Sequence, residues 1–156
     1  MIVDSGARRE FESGAVRDIA EGKGRCDLLP LDVISDWKED IVLQDIGNFI
    51  RFGEVKFLYD AINIRLLQKE LLAVEMVLEL SKHYEDGCLK YGERNWEKGI
   101  PLHCFIDSAI RHYLKDLRGD IDERHDRAFF WNIFGALWTY KHHPKLNDLP
   151  FANKEE

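Results

Sequence analysis

Reactive polar side chains are concentrated between His83 and Asn132, among residues whose periodicity places them in or next to a core. They include carboxylates, histidines, arginines and an asparagine. Burying one charge without a partner costs several kcal/mol, so we expect a ligand that offsets this cost. Carboxylates are the ligands that Mg²⁺ and Mn²⁺ prefer, whereas cations interleaved with aromatic rings suit a phosphorylated, planar molecule. The cluster therefore predicts divalent-cation chemistry on phosphate groups.

Glu123 and Asp126 are the best-placed pair of carboxylates. They are three residues apart near the start of a helix predicted from about Glu123 to Lys141, and an apolar stripe continues their face. We expect both to bind metal and to take part in catalysis, with Asp122 as a further ligand. The alternative is an acidic first turn that complements the helix dipole, with Asp122 as its N-cap.

A long periodic segment from about Ile64 to Tyr91 supplies two more candidate ligands. Its apolar residues recur at three- and four-residue steps, which is one face of a helix. Glu85 flanks this face, so we expect it to join the metal site and the catalytic set. Glu79 lies on the polar side and would bind metal only if a ligand sits between this helix and the last one.

Groups that suit a nucleotide occur on four segments. In the loop KYGERNWEKG, lysine and arginine can bind phosphate oxygens, tyrosine and tryptophan can stack on a base, and asparagine can read a base edge. A helix from about His103 to Leu117 and the last helix add polar groups, and the glycine-spaced N-terminal segment can close over a triphosphate like a lid. The predicted substrate-binding residues are Arg17, Lys23, Arg25, Lys90, Tyr91, Arg94, Asn95, Trp96, Lys98, Arg111, His112, His125 and Asn132.

Structural alternatives stay open for these groups. Gly92 fits a helix C-cap, which would leave the charges of the loop in solvent. Asn132 lies on a track of small residues that suits close helix packing. Arg111 and His112 have possible carboxylate partners on their own helix. The N-terminal segment lacks the Ser or Thr that a P-loop needs after its Lys, so a disordered tail is the alternative to a lid.

Composition excludes some classes of partner. The formal net charge of -7 argues against a protein that grips a nucleic acid backbone, although a local cluster of cations can still bind one nucleotide. No apolar run approaches the ~20 residues that span a bilayer. The N-terminus lacks the apolar segment of a secretory signal. We therefore expect the protein to have no membrane partner and to lie in the cytoplasm.

The pattern of the chain favours an all-α fold. Alternating strand patterns are not evident, and 156 residues suggest a single domain over 1–156. Short helices are expected over 31–60 and core helices over 64–143. Residues 1–30, rich in glycine and charge, are expected to form an irregular, lid-like segment on the surface.

Four segments carry a resemblance to a known family. They are SGARREFESGAVRDIAEGKGRCDLLPLDVI, HYEDGCLKYGERNWEKGIP, FIDSAIRHYLKDLRGD and DERHDRAFFWN. Together they resemble the dATP/dGTP diphosphohydrolase domain family of phages, prophages and bacteria, which is similar to the MazG-type all-α nucleoside triphosphate pyrophosphohydrolases. The resemblance covers about residues 4–35 and 79–143. If the chain is phage-encoded, its location would be the cytoplasm of a bacterial host.

The resemblance implies a four-helix core, a homo-oligomer, and cleavage of dATP or dGTP to the monophosphate and pyrophosphate with Mg²⁺ or Mn²⁺. The MazG pattern is ExxE on one helix and ExxD on a later one, and residues 123–126 match the ExxD. The ExxE has no literal match, since the corresponding helix offers Glu79, Glu85 and other polar residues at different spacings. A non-catalytic nucleotide-binding module is therefore the rival interpretation, and a plain helical scaffold is the third.

Overall fold

Helical periodicity dominates the chain and produces six α-helices within residues 6–153, the part that this computed structural model describes. They are α1 (Leu31–Lys38), α2 (Ile41–Phe52), α3 (Lys56–Gln68), α4 (Ala73–Tyr91), α5 (Leu102–Arg118) and α6 (His125–His142). The predicted all-α class is confirmed. Residues 1–5 of the predicted lid-like segment and residues 154–156 of the predicted domain lie outside the described residues.

Two predicted helix boundaries are wrong, and each has a local cause. The segment predicted as one run from Ile64 is split, because Glu70 adopts a left-handed conformation with φ 51 between α3 and α4. The last helix starts at His125 instead of Glu123, because Arg124 has non-helical dihedral angles of φ -82 and ψ 77. Glu123 therefore precedes α6, and its side chain does not follow helical spacing.

A two-stranded antiparallel sheet replaces part of the predicted irregular segment. Strand β1 (Arg8–Glu10) pairs with β2 (Val16–Asp18), with Arg9 opposite Arg17. Three-residue strands are too short to show an alternating pattern, which is why the sequence did not indicate them. The expectation that this segment only wraps the surface is also wrong, because Ala15 is completely buried in the core.

Helices α5 and α6 pack closely together because α6 carries a track of small residues. A Cβ added to Gly135 would lie 2.4 Å from a ring carbon of Phe105 on α5, so only glycine permits this approach. Ala128, Asn132 and Thr139 are buried along the same track. The close-packing interpretation therefore holds at Gly135, whereas Ala128 and Asn132 also line a cavity. The contact at Gly135 sets the distance between side chains that project from the two helices.

Polar contacts join α2 and α3 to this pair. Asp40 caps α2 by accepting the N–H of Leu43 at 2.9 Å, and its other oxygen accepts the hydroxyl of Tyr113 on α5 at 2.6 Å. Arg65 on α3 donates to Asp116 on α5 at 2.6 Å. Within residues 6–153, no helix has the length and apolar character needed to cross a membrane.

Candidate active site

A cavity of about 610 Å³ lies between β2, the loop that follows it, and helices α4, α5 and α6. This volume is in the range of small-molecule sites. Its lining contains six Lys or Arg side chains and four Asp or Glu side chains. The balance of charge in the wall is thus positive, although the whole chain carries -7. The cavity suits an anionic ligand.

Arg17 is the most unusual residue of the cavity wall. One guanidinium nitrogen donates to Ser108 Oγ at 3.1 Å and to Asn132 Oδ1 at 3.2 Å, and both acceptors are neutral. The other, Nη1, is buried and has no hydrogen-bond partner among the described residues. Desolvation lowers the pKa of Arg17 from its ordinary value, and the guanidinium lies 5.4 Å from the Phe105 ring centroid. A desolvated cation with a spare donor is ready to bind an anion.

Lys23, on the loop after β2, adds to this positive region. Desolvation lowers the pKa of Lys23, and the positive charges of Arg111 and Arg17 lower it further, while Asp18 acts in the opposite direction. These cations therefore repel one another within a partly desolvated space. A phosphate group that entered between them would relieve the repulsion.

One face of α4 supplies an open, ring-lined part of the cavity. His83, Gly87 and Tyr91 recur at four-residue steps and all line it. A Cβ on Gly87 would meet nothing within 4 Å, so the space between the two rings is open. Trp131 of α6 also lines the cavity, 5.8 Å from His83 between ring centroids. Burial lowers the pKa of His83 to about 4, so its imidazole is neutral at pH 7.

A chain of acidic and imidazole groups lies where α5, α6 and the segment before α6 meet. His125 Nε2 is 2.7 Å from Asp122 Oδ1, and His125 Nδ1 is 2.9 Å from His112 Nδ1. Glu123 Oε1 lies 3.3 Å from His112 Nδ1 and 3.6 Å from His125 Nδ1. Burial is the main cause that lowers the pKa of His112 to about 2. Two groups of side chains here can hold a metal ion. One is His112, Glu123 and His125, and the other is Asp120, Asp122 and His125.

The structure brings many of the predicted substrate-binding residues together at the cavity. They are Arg17, Lys23, Tyr91, Asn95, Arg111, His112 and Asn132. His125 is buried directly behind His112. Lys90 is bound to Asp18, which is part of the cavity wall, at 2.8 Å.

Besides His125 and Lys90, four predicted substrate-binding residues lie outside the lining of this cavity. Arg25 binds Asp27 at 2.7 Å, and Arg94 binds Glu97 on the exposed loop. Trp96 packs edge-on against Tyr84 and Trp138, and Lys98 is exposed. The loop after α4 therefore corresponds largely to the structural alternative, a capped helix end with solvated charges.

Two residues of the lining serve the architecture of the site. Asn95 exchanges two hydrogen bonds of 2.8 Å with the backbone of Val16, so its amide holds β2 in place and is not available to read a base edge. Arg111 donates to both carboxylate oxygens of Asp107 at 2.7 Å and to the carbonyl oxygen of Gly24 at 2.9 Å. It fastens the loop after β2 to α5.

The five predicted carboxylate ligands are not brought together. Asp122 and Glu123 line the cavity, whereas Glu85 is exposed on α4 and lies outside the lining. Asp126 and Glu79 both accept hydrogen bonds from Arg124. The helical argument for pairing Glu123 with Asp126 does not apply, because α6 begins after Glu123. The carboxylates of Asp126 and Glu79, which were expected to bind a metal ion, are thus hydrogen-bonded to the Arg124 guanidinium.

The cavity also contains residues that were not among the predicted site residues. They include Arg9, Asp18, His83, Asp107, Ser108, Lys115, Arg118 and Trp131. The spacing of His83, Gly87 and Tyr91 is one signal that would have located the α4 wall. The residues of β1 and β2 carried no comparable signal, because their neighbours are set by a turn and not by a long period.

These features define a helical protein with a cation-rich cavity beside a group of potential metal ligands. The family model described as dATP/dGTP diphosphohydrolase, N-terminal, matches residues 59–149, more than half of the chain. The chain belongs to this family. The match includes the walls formed by α4, α5 and α6, and it leaves out the β1–β2 hairpin. Neither the curated proteins nor the solved structures provide a match to the chain.

Proposed function

We propose that the protein hydrolyses a purine deoxynucleoside triphosphate, dATP or dGTP, to the monophosphate and pyrophosphate with Mg²⁺ or Mn²⁺. The observation that carries the proposal is Arg17, a buried guanidinium in the cavity wall with one unpartnered nitrogen. Membership of the dATP/dGTP diphosphohydrolase N-terminal family supports the choice of substrate.

The two kinds of cavity wall suit the two ends of such a substrate. Arg17 and Lys23 supply cations for the phosphate oxygens, and Lys115 lines the same cavity from α5. The open space beside Gly87, bounded by Tyr91 and Trp131, suits a planar base. A triphosphate would thus lie with its charged end towards the loop after β2 and its base towards α4.

The donor set at the acidic side fits a divalent cation, since Asp122 and Glu123 offer carboxylate oxygens and His112 offers a neutral imidazole. Such an ion, when bound, acidifies a water molecule and neutralises phosphate charge. The oxygen of water forms a bond to the α-phosphorus, and the bond from that phosphorus to the bridging oxygen breaks. Asp122, more than half exposed, passes the proton of the water to solvent. Arg17 and Lys23 stabilise the charge that grows on the departing pyrophosphate.

The predicted homo-oligomer belongs to the same proposal. Three apolar residues lie on one side of α4, and each is at least about two-thirds exposed: Val74, Leu78 and Leu89. A second copy of the chain is one partner that would cover such a face. Light scattering coupled to size-exclusion chromatography measures the mass in solution and decides between monomer and oligomer.

The test is hydrolysis of the eight common ribo- and deoxyribonucleoside triphosphates with Mg²⁺ or Mn²⁺, with products separated by chromatography. We expect dATP or dGTP to give monophosphate and pyrophosphate. Arg17→Gln should lower kcat/KM by about 100-fold, since it removes a cation that meets the developing charge. Arg94→Gln is the matched control, because Arg94 is exposed and bound to Glu97 outside the cavity.

Each other result contradicts a defined part of the proposal. Diphosphate and phosphate as products would mean that the cleaved bond is wrong. Binding of dGTP without turnover with either metal would mean that the protein is a nucleotide-binding module and not an enzyme. Equal activity of the Arg17 and Arg94 variants would mean that the substrate lies elsewhere.

A further inference from the structure

We propose that His112, His125 and Glu123 form a three-ligand centre for one divalent transition-metal ion, of the class of Mn²⁺, Co²⁺ or Zn²⁺. The centre goes beyond the proposed function in naming histidines as ligands and in excluding Mg²⁺ as the preferred ion. Its argument rests on the positions of three atoms and does not depend on the substrate.

The spacing of the three ligand atoms fits such an ion. The two Nδ1 atoms are 2.9 Å apart, and Glu123 Oε1 lies 3.3 Å and 3.6 Å from them. A circle through three atoms at these separations has a radius of about 1.9 Å, slightly less than the ~2.0–2.2 Å bonds of zinc to nitrogen and oxygen. An ion just off the plane of the three atoms therefore reaches all of them at normal bond lengths.

Asp122 prepares one of the imidazoles for this role. Its carboxylate lies 2.7 Å from His125 Nε2 and holds the proton of the ring on that nitrogen. With the ring proton on Nε2, His125 Nδ1 presents a lone pair towards His112 Nδ1. A carboxylate placed behind an imidazole in this way is typical of metal-binding histidines, because it fixes the tautomer and the orientation of the ring. A cation bound to both Nδ1 atoms requires the proton of the His112 ring to lie on its Nε2 atom.

The surroundings of the cluster favour metal binding over a purely structural role. His125 is almost fully buried, with 1% of its side chain exposed, whereas His112 and Glu123 face the cavity, where an ion and its remaining ligands can enter. Two imidazole nitrogens that face each other at 2.9 Å repel each other unless a proton or a cation lies between them. Two imidazoles with one carboxylate suit Zn²⁺, Co²⁺ or Mn²⁺, whereas Mg²⁺ prefers oxygen ligands alone.

The test is titration of the full, chelator-treated chain with Co²⁺, followed by its visible absorption and by calorimetry. We expect one Co²⁺ per chain at this centre, displaced by Zn²⁺ but not by a hundredfold excess of Mg²⁺. His112→Gln and Glu123→Gln should each weaken Co²⁺ binding by at least about 100-fold, and Asp122→Asn by about 10–100-fold. Circular dichroism and thermal unfolding establish that each variant is folded.

Two control variants make the result specific. His142→Gln changes an exposed histidine at the end of α6, and Glu85→Gln changes an exposed carboxylate of α4; both should bind Co²⁺ as the parent does. Unchanged Co²⁺ affinity in folded His112→Gln and Glu123→Gln would overturn the centre, as would displacement of Co²⁺ by a hundredfold excess of Mg²⁺.

The outcome for this centre is separable from that of the proposed function. Loss of Co²⁺ binding in the two ligand variants, in a protein that hydrolyses no nucleotide, would support the centre and contradict the proposed function. Hydrolysis of dATP or dGTP that persists with unaltered Co²⁺ binding in both variants would contradict the centre alone.

Discussion

Replacing Arg17 by methionine should separate nucleotide binding from stability. The guanidinium of Arg17 has no carboxylate partner among its hydrogen bonds, and one of its nitrogens has no partner among the described residues. Methionine keeps the apolar packing of the stem against Phe105 and Trp131 while removing the charge. We therefore expect the folded protein to tolerate the change and the binding of a triphosphate to suffer.

The magnitudes follow from the contacts. The variant loses two hydrogen bonds to neutral acceptors and contacts with two rings, but it also removes a desolvated charge that costs several kcal/mol. Water in the cavity replaces Arg17 as a donor to Asn132 and Ser108. The free energy of unfolding should change by less than about 1 kcal/mol. A lost hydrogen bond from the cation to phosphate is worth about 1.5–3 kcal/mol, which weakens binding about 10- to 150-fold.

Arg65→Met is the matched control. Arg65 is similarly buried and also lies against a ring, Tyr113, but it pairs with Asp116 at 2.6 Å and donates to Gln68 at 3.0 Å. Since Lys69 also binds Asp116, the loss should be about 1–3 kcal/mol and not the larger penalty of an isolated buried charge. For a chain of this length, that lowers Tm by about 2–12 °C. Nucleotide affinity should stay unchanged, because Arg65 lies outside the cavity.

The assay combines thermal unfolding with calorimetric titration of a non-hydrolysable dGTP analogue for the parent and both variants. The reasoning would be refuted if Arg17→Met lowered Tm as much as Arg65→Met while binding the analogue with the affinity of the parent. Arg17 would then be a structural residue, and the cavity would lose the observation that identifies it as an anion site.

Three further predictions concern the framework of the site. Gly135→Ala should lower the free energy of unfolding by about 1–3 kcal/mol in a denaturant titration, because the added Cβ meets the Phe105 ring. Adding Phe105→Leu to this variant should recover part of the loss. Additive losses from the two substitutions would contradict the close contact. The hydrogen bond to Asp148 raises the pKa of His103 to about 10. The parent should therefore have a larger free energy of unfolding than His103→Gln near pH 5–6, where His103 is protonated in both the folded and the unfolded state. This difference should decline between about pH 6.5 and pH 10 and vanish above pH 10. Partial exposure of the pair limits this difference to about 1 kcal/mol, and a difference that grew with pH would contradict it. Asn95→Ala should speed amide hydrogen exchange in β2 more than in the helices, since it removes both side-chain hydrogen bonds to that strand; uniform exchange would contradict this anchoring.

Local patterns in the sequence were sufficient for most of the fold. Apolar residues at three- and four-residue steps predicted the helices, because this period reflects the neighbours of each residue along the chain. The break at Glu70 carried no such signal, since a left-handed residue other than glycine is decided by the packing of the helices on either side. The β1–β2 hairpin was also missed, because strands of three residues have no period to detect.

The kinds of chemistry at the site were likewise evident from residue types, but their partners were not. The sequence determined that carboxylates, imidazoles and cations cluster between His83 and Asn132 and that phosphate chemistry suits them. Only the tertiary structure decided that Arg124 reaches Glu79 on α4, while Glu123 and His125 meet His112 on α5. The physical reason is that α5 and α6 are separate along the chain, and the distance between their side chains is set by close packing at their interface. That packing places two imidazole nitrogens 2.9 Å apart, which no spacing within one helix could specify.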